Sequence, residues 1–167
     1  MNTFKRVMIE LVLPVITAWF LMTILVDIIT IPAVFRNSSS IVDAGKIGMI
    51  VFGRFNFFEI FFAVVVLAGS YFNWRFNCNG KWVVFAVPLL ILSILYTFYM
   101  TPMITNITYE IHQTNVQDPM YAVLQSRHAQ FHNLYRYFDS SKLLYLLVFG
   151  IKVIYDKMKK SQVGVCL

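Results

Sequence analysis

Between Trp82 and Tyr109 the chain carries no Asp, Glu, Lys or Arg. Such a run exceeds the roughly 20 residues a helix needs to cross a bilayer. A soluble domain has no use for a run that long without charge. The rest of the chain repeats the pattern. A first apolar segment covers about residues 7–34, with an uncharged stretch over 11–26, and a second covers about 47–72, interrupted by Arg54 and Glu59. The third covers about 82–107. A fourth covers about 134–155 and carries Arg136, Asp139 and Lys142 at its start. Lipid leaves backbone polar groups unsatisfied, so the segments read as helices. A barrel would show short alternating strands instead. Composition agrees: 59% of residues are hydrophobic and 13% charged, against about 25% charged in soluble domains. The expected fold class is all-α, a single-domain integral membrane bundle of four transmembrane helices.

Lys5 and Arg6 precede the first segment in the manner of a signal peptide. The segment is too long for one, contains Glu10, and lacks a small-residue cleavage site, so it reads as an uncleaved span. Positive charge sets the orientation. Lys5, Arg6, Arg75, Lys81, Lys152, Lys157, Lys159 and Lys160 outnumber Arg36, Lys46, Arg127 and Arg136 on the opposite side. Both termini are expected in the cytoplasm. The basic residues are spread along membrane flanks rather than gathered in a patch, which argues against a nucleic-acid partner. Cys78 and Cys166 fall on the expected cytoplasmic side and show no metal spacing.

Turn signals set the connections. Asn79-Gly80 marks a tight turn between the second and third helices. Ser40 or Asp43 is placed to cap the second helix. Pro14 and Pro32 are expected to kink or end the first helix, and Pro88 the third. The third helix is expected to project past the outer face and stop near Gln117. The fourth starts at Pro119 with Asp118 as its N-cap and runs long. These extensions of helices 3 and 4 would form a helical cap.

Charge inside a span is costly and marks a partner or a function. By depth, Asp27, Arg54, Asn56, Glu59, Asp139 and Lys142 converge on the outer half, with Tyr96, Tyr99, Thr101 and Asn106 of the third helix at similar height. They define a candidate ligand or ion pocket open to the outer side. The competing reading is structural: Arg54 paired with Asp27 or Glu59, and Asp139 with Lys142 at i,i+3. Glu10 lies at the opposite depth, with Arg6 one turn back as its expected partner.

His128 and His132 lie four apart on one helical face, a spacing that can grip a metal ion. His112 is expected opposite them, with Met100 and Met103 nearby. Imidazole and thioether together suit copper, and histidines on facing helices suit a haem. As hydrogen-bonding structural residues they need no metal. No nucleophile with an oriented base, phosphate loop or CxxC is present, so no catalytic constellation is identified. The function expected is binding of a small ligand or ion. The alternatives are a copper or haem site, and a non-catalytic accessory subunit of a larger complex or a homo-oligomer. The phenylalanines Phe57, Phe58, Phe61 and Phe62 would serve lipid or protein contact equally.

Short motifs carry a resemblance. The stretch Ile31-Pro32-Ala33-Val34-Phe35-Arg36, then Ala44-Gly45, then Phe52-Gly53-Arg54-Phe55 resembles the bacterial domain-of-unknown-function 4149 family, which is similar to the transmembrane-protein-205-like proteins. Thr101-Pro102-Met103-Ile104 and Phe131-His132-Asn133-Leu134-Tyr135 continue the pattern, which spans most of residues 14–153. The resemblance implies four transmembrane helices, with Pro32, Phe35, Arg54, Pro102 and His132 as family positions. It also implies distant similarity to copper-resistance inner-membrane proteins and a haem-pathway membrane oxidase. Asp27, Glu59 and Lys142 have no counterpart in that pattern.

Overall fold

A computed structural model describes residues 2–77 and 80–162. Four long helical segments account for almost all of them: α1 (Thr3–Asn37), α2 (Ile41–Asn77), α3 (Lys81–Gln113) and α4 (Pro119–Gln162). There is no strand among the described residues. The first three helices are long and apolar enough to cross a membrane. The fourth has the length, 44 residues, but its charged residues set it apart by composition. Cys78, Asn79 and Cys166 lie outside the described residues.

Consecutive helices run antiparallel. One end of the molecule holds the helix termini at Thr3 and Gln162 and the α2–α3 connection. The other holds residues 38–40 and 114–118; we term it the two-loop end. Contacts close a ring, α1 on α2, α2 on α3, α3 on α4 and α4 on α1. Large apolar side chains point outward all round it. Phe57, Phe58 and Phe61 are among them, each more than half exposed, as expected of a lipid-facing surface. Phe62 instead packs against Trp19, ring centroids 6.0 Å apart.

Local chemistry explains where the helices start and stop. Ser40 opens α2: its hydroxyl accepts from the Asp43 backbone N–H (3.1 Å) and donates to the Asp43 carboxylate (2.8 Å), a reciprocal cap. Those hydroxyl contacts, from Ser40 first and then Ser39, hold the Asp43 carboxyl below its ordinary range. Asp118 opens α4 by accepting from the Met120 N–H at 2.8 Å, with Pro119 as the first helical residue. The third helix ends at Gln113, not near Gln117. Thr114 turns extended, and Asn115 accepts from Gln117 N–H (3.1 Å) and Asp118 N–H (2.9 Å) to build a separate turn.

No proline ends a helix. Pro14 and Pro88 sit within unbroken α-helix. Pro32 and Pro102 are each preceded by a π-turn, Leu25–Thr30 in α1 and Tyr96–Met100 in α3. Proline removes a donor and crowds the carbonyl one turn back. The chain responds with i→i−5 bonds, Ile31 N–H to the Val26 carbonyl and Thr101 N–H to that of Tyr96, the widened turn often found at functional positions.

The half nearest the termini is closely packed around an apolar core. Val12, Ile16, Trp19, Ala63, Val66, Leu89, Leu146 and Phe149 form its core, and Phe85 stacks on Phe149 at 5.1 Å. Gly69 is the point of closest approach: a β-carbon there would collide with the Met8 carbonyl and the Val12 side chain. In lipid, where apolar burial gives helices little drive to associate, such backbone proximity supplies dispersion contacts.

Candidate functional site

Towards the two-loop end the helices part around a cavity of about 850 Å³. Ile28, Ile31, Phe35, Phe52, Ile104 and Leu143 form its apolar walls, and Asp27 and Asp139 lie at its floor. Its volume falls in the range of small-molecule sites, about 300–1,000 Å³. Each wall has a local cause. The α1 π-turn carries Asp27. On α2 the absence of a side chain at Gly45 leaves open space, since a β-carbon there meets nothing within 4 Å.

Beneath the floor is a buried ionic network. Lys142 Nζ donates to Glu59 Oε1 at 2.5 Å and also pairs with Asp139 one turn away. Trp19 Nε1 donates to the same Glu59 oxygen at 2.9 Å. The Lys142 ammonium stands 5.1 Å from the Tyr96 ring centroid. Glu59 is 0% and Lys142 2% exposed. An isolated charge at that depth would cost several kcal/mol, and only mutual pairing with further hydrogen bonds offsets it. Beside it, Asn56 donates to Thr101 Oγ1 (2.7 Å) and accepts from the Tyr135 hydroxyl (3.2 Å), while Thr97 donates to the Asn56 carbonyl (3.2 Å). One polar layer thus ties all four helices together.

Three buried oxygens in this layer have no hydrogen-bond partner: Asp27 Oδ2, Glu59 Oε2 and the Tyr96 hydroxyl. The Asp27 and Asp139 carboxyls lie within hydrogen-bonding reach of each other.

Of the six residues expected at the pocket, Asp27 and Asp139 line the cavity, and Asn56, Glu59 and Lys142 lie in the polar layer beneath it. Arg54 joins neither. It is exposed on α2, five positions from Glu59 and so about 140° around the helix. Glu59 takes Lys142 in place of the expected Arg54. Glu10 likewise takes Lys157 (2.6 Å) rather than Arg6. Tyr99 and Asn106 are exposed as well.

The histidines line the cavity wall above the floor. His128 and His132 have ring centroids 5.8 Å apart, and His112 stands across from them. Burial pushes both α4 imidazoles below their ordinary pKa, helped by His132 beside His128 and by Arg136 beside His132. Met100, expected near the histidines, is instead buried against Tyr96 and Tyr135. Among the described residues no three His, Cys, Asp or Glu side chains gather to hold a metal ion.

Sequence reasoning missed the indoles. Trp19 holds Glu59, and at the other end Trp82 Nε1 donates to Asp156 (2.9 Å), which also pairs with Lys152 at 2.5 Å. A tryptophan deep in an apolar run usually seeks an acceptor, which was the available signal.

Compared with known proteins, the chain matches no family model, no curated protein and no solved structure. The site is therefore read from its own residues.

Proposed function

We propose that this chain is a four-helix transmembrane bundle that binds a small ligand or ion in the cavity at the two-loop end, without catalysis of its own. The observation that carries this reading is the cavity itself, which has apolar walls over an acidic floor and is sealed below by the Glu59–Lys142–Asp139 network. Asp139, Lys142 and Lys152, three of the charges that weaken the apolar character of α4, are paired with α2 or within α4, which supports α4 as the fourth span. The distribution of Lys and Arg supports termini in the cytoplasm of a bacterial cell and a two-loop end facing outward, with α3 and α4 extending beyond the bilayer there. Kinship with the domain-of-unknown-function 4149 and transmembrane-protein-205-like proteins rests on the motifs given above.

The test uses protein purified in mild detergent, wild type and Gly45→Trp. Position 45 lines the cavity and has room for a side chain, so tryptophan there fills the site. Mass spectrometry of the extracted protein should find a stoichiometric small molecule in wild type that is lost from the variant. Equal extracts from two equally folded proteins defeat the reading. Elemental analysis and an absorption spectrum on the same samples address the second reading, a metal or haem held through His128, His132 and His112. Copper, iron or a Soret band lost in His128→Ala/His132→Ala would put that reading first. A partner protein that co-purifies with both forms, with no ligand in either, would favour an accessory subunit.

A further inference from the structure

The charge of the site specifies a class of ligand. Two carboxyls, those of Asp27 and Asp139, lie at the floor, and a third, that of Glu59, lies in the network beneath. Lys142 is engaged by Glu59 and Asp139. Arg136, on the cavity wall one turn from Asp139, is the other fixed cation. With all three ionised the site is short of one positive charge, which a proton shared between the neighbouring Asp27 and Asp139 carboxyls supplies until a cation takes its place. The histidines do not supply it, because burial favours their neutral form near pH 7.

The unpartnered atoms say where that charge belongs. Asp27 lines the cavity, and its Oδ2 is buried with no donor opposite. The Tyr96 side chain is 0% exposed and its hydroxyl is also without a partner, in the polar layer outside the cavity lining. A buried acceptor without a donor costs about 1–3 kcal/mol, so an N–H donor entering the cavity recovers that energy. A bare inorganic cation would leave the walls of Ile28, Ile31, Phe35 and Phe52 unused. Phe52 and Tyr135, ring centroids 5.5 Å apart, add aromatic surface that suits a desolvated ammonium.

We propose that the cavity holds a cationic amphiphile, a protonated amine with an apolar body, its ammonium against Asp27 and its body along the α1–α2 wall. The proposal rests on the ligand-binding reading above and names the ligand's chemistry. An alkyl ammonium satisfies both demands of the site. An alkyl carboxylate would set like charge against Asp27 and Asp139, and an alcohol would leave the charge uncompensated.

The experiment uses full-length protein in lipid nanodiscs and tritiated decylamine, with unlabelled decylamine, decanol and decanoate as competitors. Wild type should show saturable binding at about one site per chain. Decylamine should displace it, and decanol and decanoate should need at least tenfold higher concentration. Asp27→Asn keeps the shape and removes the charge, and should weaken binding at least tenfold. Gly45→Trp should abolish it. Gly53→Trp, at a second position with open space but off the cavity wall, should bind as wild type does. If decanol or decanoate binds saturably and Gly45→Trp blocks it, with no preference for the amine, the cavity reading survives and the cationic proposal falls. If no probe binds saturably to folded wild type, both fall. Equal amine binding by Asp27→Asn and wild type also overturns the proposal.

Discussion

The two halves of this molecule solve opposite problems with the same four helices. Near the termini the backbones approach until Gly69 touches Met8 and Val12, and the core is apolar. Near the two-loop end the helices separate around a cavity and meet through charges and hydroxyls instead. The difference teaches where stability and function are divided. At Gly69 the packed half tolerates no added volume, whereas the open half has room but depends on each buried charge keeping its partner.

The largest effect should come from separating the ion pair that floors the open half. Lys142→Met should destabilise the protein by about 3–5 kcal/mol, because it leaves the buried Glu59 without its cation, and Glu59→Ala by less, because Lys142 keeps Asp139. The double variant Glu59→Leu/Lys142→Met should recover only the part of the Lys142→Met loss that belongs to Glu59, since Asp139 is still left without its lysine. Thermal unfolding in detergent, followed by tryptophan fluorescence, measures all three. A double variant as weak as the sum of the singles would mean the network is not a pair but a set of independent contacts.

Glycines sharpen the contrast at intermediate size. Gly69→Leu should cost at least the 1–3 kcal/mol typical of overpacking, while Gly45→Leu on the same helix should leave the melting temperature near wild type. Equal losses at both positions would erase the distinction between the halves.

Acid should act on the open half alone, and weakly. Burial lowers the folded pKa of His128 and His132, so the unfolded chain binds more protons there than the folded one. The stability contributed is present above the ordinary imidazole value of about 6.5 and is lost as pH falls towards the lowered folded values. Melting curves from pH 7.5 to 5 should decline more steeply in wild type than in His128→Gln/His132→Gln. Identical slopes would show that the histidines are not desolvated.

How much of this was legible depends on which physical signal each feature leaves. Uncharged runs mark long apolar helices because length and hydropathy are read directly, and Ser40 and Asp118-Pro119 mark helix starts by side-chain chemistry local to the turn. Asp139 with Lys142 was readable because i,i+3 neighbours share a face whatever the helix packs against. Depth alone placed Asp27, Asn56, Glu59, Asp139 and Lys142 in one layer. Depth carries no rotation, which is why Arg54 entered the set and proved to face outward. Long-range choices such as Lys157 for Glu10 have no local trace. The π-turns at Leu25–Thr30 and Tyr96–Met100 were hidden as well. Each inserts a residue's worth of turn that a fixed 3.6-residue period does not register.

The Glu59–Lys142 pair also imposes an order of events during synthesis. The two residues are 83 positions apart, and α2 emerges from the ribosome well before α4. At about 5–20 residues per second the carboxyl of Glu59 waits roughly 4–17 seconds for its lysine. During that interval a three-helix intermediate exposes an unmatched acid to the insertion machinery. The last helix closes the ring, and its Lys142 finds a counter-charge already in place.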